Sequence, residues 1–237
     1  MKLRMQITKE RDIRFISHLE YIRTIERAIR RAKLPAAYSE GFNPHMKFSL
    51  ASALGVGVVS YTEFVEIELY EDVDVRAAAE ALAKALPRGI KVLAADWVDT
   101  HHAALMAQAA GASYRVTLPY AKDMAETVAD YNALESLLFK KAAPKLKAGF
   151  KEIDVKQYIP TIEVSQSEGE IVLSFDCKIT PSGSMKAVDL LNALNEKYAL
   201  ELPVEMADIE RLKLYRLNKR GSKISMLNTD AVKLVNN

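Results

Sequence analysis

Residues 14–48 read RFISHLEYIRTIERAIRRAKLPAAYSEGFNPHMKF, and the helix in this stretch decides the fold of the front half of the chain. Ser17 stands where a helix would be capped, with Glu20 three residues on, the spacing of a capping box. Leu19, Ile22, Ile25, Ile29 and Ala32 recur at helical intervals and predict a buried stripe. Arg23, Arg27, Arg30 and Arg31 fall on another side. Pro35 ends the helix at or before Leu34, because the residue before a proline is driven out of the α region. The helix is therefore expected to set one side against a core and to turn a row of guanidinium groups outward.

Extended segments flank this helix. Residues 2–8 alternate, with Leu3, Met5 and Ile7 on one face, and residues 11–16 could prolong them as a hairpin or a bent strand. Residues 46–53 look extended. Residues 61–70 alternate clearly, with Phe64 or Val65 inward according to register. Residues 73–86 predict a second helix, ended by Pro87 and Gly89, and 90–97 a closing strand. The order β-α-β-β-α-β is the ferredoxin-like, split-βαβ arrangement.

The order then returns. A strand is expected at 113–118, and a helix at 126–142 with Val128, Tyr131, Leu134, Leu138 and Ala142 on one side. A hairpin turns at Ser167-Glu168-Gly169, a helix covers 185–198, and a last strand covers 207–217. Residues 144–157, rich in Lys, read as a loop or an irregular strand. The fold class is α+β: two tandem ferredoxin-like halves with antiparallel sheets, at 1–98 and 110–217, joined through a linker near 98–111. The basic tail 218–237 is expected to be loosely held.

The 237 residues carry a formal net charge of only +2. That charge is uneven. Residues 1–50 hold 11 Lys/Arg against 5 Asp/Glu, and residues 51–130 hold 6 against 12. A basic front region matters more to a polyanion than the overall balance does. The single cysteine, Cys177, excludes an intrachain disulfide and a Cys-rich metal or iron–sulfur site. No apolar run approaches the 18 residues of a membrane span. A cytoplasmic chain without a membrane segment, metal or cofactor of its own is expected.

Chemistry-bearing residues concentrate near the first helix. His18 in its first turn could act as general acid/base or touch phosphate, or simply hydrogen-bond a neighbouring strand. His45 follows Pro44 in a turn expected to border the same helix end. Two histidines are too few for a closed zinc site, and Asp12, Glu40 or Glu63 would have to complete one. The four arginines could neutralise phosphates or form a solvated face, with Glu26 paired to Arg30. In the turn, Tyr38 and Phe42 could stack on a base and Lys47 could pair with phosphate. Gly55-Val56-Gly57 lacks the context of a phosphate loop and reads as a bend before the next strand. His101 and His102 fall in the linker. Cys177 alternates with apolar neighbours and reads as core. On the last strand Arg211, Lys213 and Tyr215 share a face that could meet nucleic acid.

The run from Arg14 to Ser49, with Ser-His-Leu-Glu, Glu-Arg-Ala-Ile-Arg-Arg-Ala and Tyr-Ser-Glu-Gly-Phe-Asn-Pro-His, resembles the radical-SAM-linked domain of unknown function. That domain occurs alone or fused behind a radical SAM protein with a cobalamin-binding region. The family pattern has Pro where Met46 stands and a further Pro near Ala53; both histidines remain. The resemblance implies a radical SAM protein as partner in trans, and the family's association with RNA-processing genes implies RNA as a possible second partner. This chain lacks the cysteine triplet that holds such a cluster.

Three functions follow as expectations. The first is a non-catalytic accessory module of a radical SAM enzyme that binds RNA or presents an RNA-related substrate. The second is a metal-independent endoribonuclease resembling CRISPR repeat-processing proteins, with His18, Tyr38, His45 and Lys47 supplying acid/base groups. The third is a protein-interaction scaffold, using the acidic stretch 63–74 and the basic helix.

Overall fold

The computed structural model describes residues 1–99, 103–144, 146–181 and 183–234. His101 and His102 lie outside the described residues. The chain divides into two compact units, 1–110 with 213–237, and 111–212.

In the first unit β1 (Lys2–Lys9) leads through a short 3-10 turn into α1 (His18–Arg31), followed by β2 (Phe48–Leu50), β3 (Val58–Glu68), α2 (Val75–Ala85), β4 (Val92–Val98) and the single-turn α3 (Leu105–Gln108). β1 pairs antiparallel with both β3 and β4, and β2 pairs antiparallel with β3. The order β2-β3-β1-β4 is that of a ferredoxin-like sheet. The 3-10 turn spans Arg11–Ile13, where the sequence suggested a hairpin or bent strand. Its tightness is set by Gly89, whose carbonyl accepts from the Glu10 N–H at 2.8 Å. Gly89 sits at φ +95°, and a Cβ there would meet Ile13 at 3.0 Å, so only glycine fits.

The core joins Leu3, Met5 and Ile7 of β1 to Val65 and Ile67 of β3, Ile25 and Ile29 of α1, and Ala79 and Leu82 of α2. Tyr21, absent from the predicted stripe, is buried there, with its hydroxyl donating to the Thr8 carbonyl at 2.7 Å. Leu19, predicted to be inside, is 55% exposed. At 100° per residue Leu19 lies among the arginines, and the centre of the buried arc falls near Ile25, Ala28 and Ala32.

Phe64 and Val65 are both buried, so both faces of β3 are covered. The second face is tied by Arg4, 2% exposed. Its guanidinium donates to Glu66 Oε2 at 2.6 and 3.1 Å, to Gln108 at 3.1 Å and to the Met226 carbonyl at 2.6 Å.

The second unit contains β5 (Gly111–Pro119), α4 (Ala125–Ala133), β6 (Leu138–Ala142), β7 (Phe150–Asp154), the single-turn α5 (Val155–Tyr158), β8 (Ile162–Ser167), β9 (Glu170–Thr180), β10 (Gly183–Ser184), α6 (Ala187–Tyr198) and β11 (Asp208–Leu217). β11 straddles the division between the units. Here the order β8-β9-β5-β11 repeats the ferredoxin-like pattern. β8 and β9 join through Glu168 and Gly169, both at positive φ (45° and 84°), as a two-residue hairpin loop demands. The helix expected over 126–142 ends at Ala133. The chain then reverses into strand, because Phe139 and Lys140 alternate between a buried and an exposed side.

The tail is not loose. β12 (Lys223–Ile224) pairs with β11, and β13 (Val232–Lys233) pairs with β4. Met226 and Leu227 are buried, and the Asn228 amide reaches Asp96 at 2.6 Å. Apolar burial and the Arg4 hydrogen bond hold a segment whose composition alone reads as polar.

Candidate functional site

The N-terminal end of α1 is fixed by two devices. Ser17 Oγ accepts from the Glu20 N–H at 3.2 Å, and Glu20 Oε2 accepts from the Ser17 N–H at 2.8 Å. That backbone donor, then the Ser17 hydroxyl, holds the Glu20 pKa below its ordinary value, with Arg23 adding to the effect. The carboxylate already serves the helix end, so α1 offers no vacant anion site there. The second device is Lys9, 1% exposed, whose ammonium donates to the carbonyls of Arg14, Ile16 and Gly55 at 2.9, 3.1 and 3.4 Å. Gly57, at φ +81°, donates its N–H to the Arg14 carbonyl at 2.8 Å, the bend expected before β3. Ser17→Ala should cost about 1 kcal/mol of stability, measured as a shift in the urea midpoint at unchanged slope. No shift would mean that Glu20 alone secures this end.

Beyond the cap the arginines form one stripe. Arg23, Arg27, Arg30 and Arg31 are all exposed, and their positions fall within an arc of about 100° opposite the buried side. Arg30 pairs with Glu26 at 2.6 Å and stands 6.0 Å from the centre of the Tyr38 ring. Arg31 donates to the Ala85 carbonyl at the end of α2 at 2.8 Å. Arg23 and Arg27, earlier along the same side of the helix, are exposed to solvent. Exposed rings lie beyond both ends of the stripe: Phe15 (68% exposed, with the Arg14 guanidinium 4.7 Å from its centre) and Tyr38 (43%).

The turn after α1 is a closed loop. Tyr38 and Met46 form an antiparallel bridge, the Ser39 N–H donates to the His45 carbonyl at 2.8 Å, and the His45 N–H donates to Ser39 Oγ at 2.9 Å. Gly41, at φ +114°, turns the tip, and Phe42 beside it is fully exposed. Lys47 at the base pairs with Glu68 at 3.3 Å.

The loop corrects one expectation. His45 does not border the helix end that carries His18. His18, half-buried, opens α1, whereas the loop lies by Arg30 near its far end. At 1.5 Å rise per residue the two ends stand about 20 Å apart, so the imidazoles cannot meet at one phosphodiester.

Other candidates fall away for specific reasons. Arg211 is 3% exposed, its Nε donating to Tyr114 Oη at 3.0 Å, and Tyr215 is 7% exposed. Of the β11 residues Arg211, Lys213 and Tyr215 expected to offer a face to nucleic acid, only Lys213 is exposed. In the acidic stretch Glu63 and Glu66 are buried, with Glu63 accepting from Ser60 Oγ at 2.6 Å, and Asp74 caps α2. Asp12 pairs with Arg88 at 2.6 Å. Among the described residues no group of three His, Cys, Asp or Glu side chains could hold a metal ion. No helix among them is long and apolar enough to cross a membrane.

Cys177 is buried, as its alternation suggested, and burial pushes its thiol up to about 11. The native protein should therefore resist iodoacetamide at about pH 8 and react once unfolded. Prompt labelling of the native state would contradict this packing. The native state binds the thiol proton more tightly than the unfolded state does. Its contribution is intact below the ordinary thiol range and is lost as pH rises towards about 11.

Sequence reasoning missed Lys9 as an organiser and the lysines of β6 and β7. The only signal for the second group was a Lys-rich composition over 144–157 and the alternation around Phe139.

Comparison with known proteins gives the following. No curated protein matches the sequence. A solved Cbf5-Nop10-Gar1 complex is similar with TM-score 0.49 and 12% identity, over 90% of this chain and 48% of that one. An archaeal box H/ACA sRNP Nop10-Cbf5 complex is similar with TM-score 0.43 and 10% identity, over 90% and 47%. This chain thus spans about half the length of those two chains. A protein of unknown function from Galdieria sulphuraria is similar with TM-score 0.25 and 14% identity, over 92% and 98%. A family model matches residues 2–189, and the chain belongs to that family, described as an uncharacterized protein conserved in bacteria (DUF2344).

Proposed function

We propose that this chain is a non-catalytic module that holds RNA along the exposed arginine stripe of α1 and presents it to an enzyme acting in trans, in the cytoplasm. One observation carries the reading: four guanidiniums share a solvent-facing arc, with exposed rings beyond both ends. Guanidinium forks match phosphate oxygens, and exposed rings beside a basic track are the usual stacking platforms for unpaired bases. A solvated helix face needs no such rings. The endoribonuclease reading ranks second, because His18 opens α1 while Tyr38, His45 and Lys47 belong to the loop beside its far end.

The resemblance to the radical-SAM-linked domain supplies the finer proposal that the enzyme in trans is a radical SAM protein. This chain's one cysteine is buried and cannot hold a cluster with others. Co-purification that survives nuclease would support direct contact between the proteins. Loss of the pair on nuclease treatment would leave RNA as the bridge.

Fluorescence anisotropy with a labelled single-stranded RNA tests the binding itself. Each phosphate contact on a single strand contributes about −0.7 to the slope of log K against log salt. Three to four contacts should give a slope between about −2 and −3. Weak binding that ignores salt would overturn the reading.

A further inference from the structure

The ferredoxin-like pattern accounts for β5, α4, β8, β9, α6 and β11 of the second unit, and β6 and β7 lie outside it. They form a separate two-stranded ribbon between α4 and β8. Residues 138–158 carry six lysines against Glu152 and Asp154. Asp154 is occupied, because its Oδ1 accepts from the N–H groups of Leu137 and Lys156 at 3.0 and 3.1 Å.

The two faces of the ribbon differ. On the inner face Phe139 pairs with Ile153, and Lys141 pairs directly with Lys151. Like charges directly opposite across strands are destabilising. Asp189 answers one of them, at 2.6 Å from Lys141. Among the described residues Lys151 has no ion-pair partner. Beneath the pair lies a pocket of about 190 Å³ lined by Lys141, Lys151, Ile153, Tyr158, Ser184 and Met185. The outer face carries Phe150, 40% exposed, with the Lys140 ammonium 5.1 Å from its ring centre.

We propose that this ribbon is a second RNA contact. One phosphate of the strand enters the pocket between Lys141 and Lys151, and the Phe150 ring meets a base. Lys151 is exposed, and its ammonium beside Lys141 and two hydroxyl-bearing residues suits a phosphate-sized anion arriving from solvent. The ring beside Lys140 extends the contact to a base, which inorganic phosphate lacks. The inference rests on the RNA reading above and extends it to the second unit.

The test compares single-stranded RNA binding by the full chain with that of two variants. Lys141→Gln with Lys151→Gln removes both cations. Phe150→Ser with Lys151→Gln leaves the Lys141–Asp189 pair intact, guarding against a folding defect in the first variant. The single phosphate held by the two lysines should contribute about 0.7 to the salt slope, so the double lysine variant should bind about 8-fold more weakly at about 50 mM salt. Wild-type affinity and slope in both ribbon variants would overturn the inference. If a variant lacking the α1 arginines still lost its binding, the reading of the first unit would survive that failure. Exposed Leu138 and Leu146 also suit a lipid surface. Pelleting with phosphatidylglycerol vesicles that depends on these lysines, alongside unchanged RNA binding, would overturn the RNA assignment as well.

Discussion

Alanine at Arg23, Arg27 and Arg30 together is expected to weaken single-stranded RNA binding about 500-fold at about 50 mM salt. Each lost contact removes about 0.7 from the salt slope, a factor of about 8 at that concentration. The three side chains are exposed on α1, so the fold should persist. Among the described residues the ion pair lost is Arg30 with Glu26, whose i,i+4 geometry is worth about 0.3–0.5 kcal/mol. Lysine at the same positions separates charge from shape. It should keep the salt slope and lose part of the affinity, because an ammonium lacks the bidentate fork. Equal binding by the alanine variant and the wild type would show the stripe to be a solvated face.

The second large effect concerns the buried pair behind β1. Arg4→Met should destabilise the first unit by about 3 kcal/mol, the lower end of the range for breaking a buried ion pair. The lower end applies because Lys2 remains 3.1 Å from Glu66 Oε1 and partly answers the orphaned carboxylate. The unfolding midpoint should fall by about 6–12 °C for a chain of this size. The Met226 carbonyl loses its donor in the same substitution, so protease should cut within 218–234 at native temperature. Adding Glu66→Gln should recover part of the loss, since it removes the buried orphan charge. If the single and double variants were equally unstable, the cost would lie in packing and not in charge.

The elements that were legible in the sequence are those whose local signals agree. Ser17 with Glu20 and the Ile25–Ile29 spacing announce α1, and the two-residue Glu168-Gly169 loop announces the β8–β9 hairpin. Strand order could then be read from the repeated β-α-β-β-α-β pattern. Three features resisted because tertiary contacts decide them. Leu19 fits an apolar periodicity yet faces water, since Tyr21 fills the core with its ring and reaches Thr8 with its hydroxyl. Leu134, Leu138 and Ala142 carry helical spacing, but α4 stops at Ala133 and pairing with β7 makes 138–142 strand. The tail 218–234 has a polar composition, and its attachment depends on Arg4, more than 200 residues away in sequence. At the site, the arginine row was legible because helical geometry alone sets it. The separation of His18 from His45 was not, because it depends on where the 39–45 loop is stitched to its neighbours.

Arginine footprinting with phenylglyoxal tests the central claim most directly. The chain is modified with and without saturating single-stranded RNA at low salt, and the modified positions are read by mass spectrometry. Protection of Arg23 and Arg27 by RNA, with exposed Arg88 on the α2–β4 connection reacting equally in both samples, is the predicted result. Equal modification of Arg23 and Arg27 whether or not RNA is bound would contradict it.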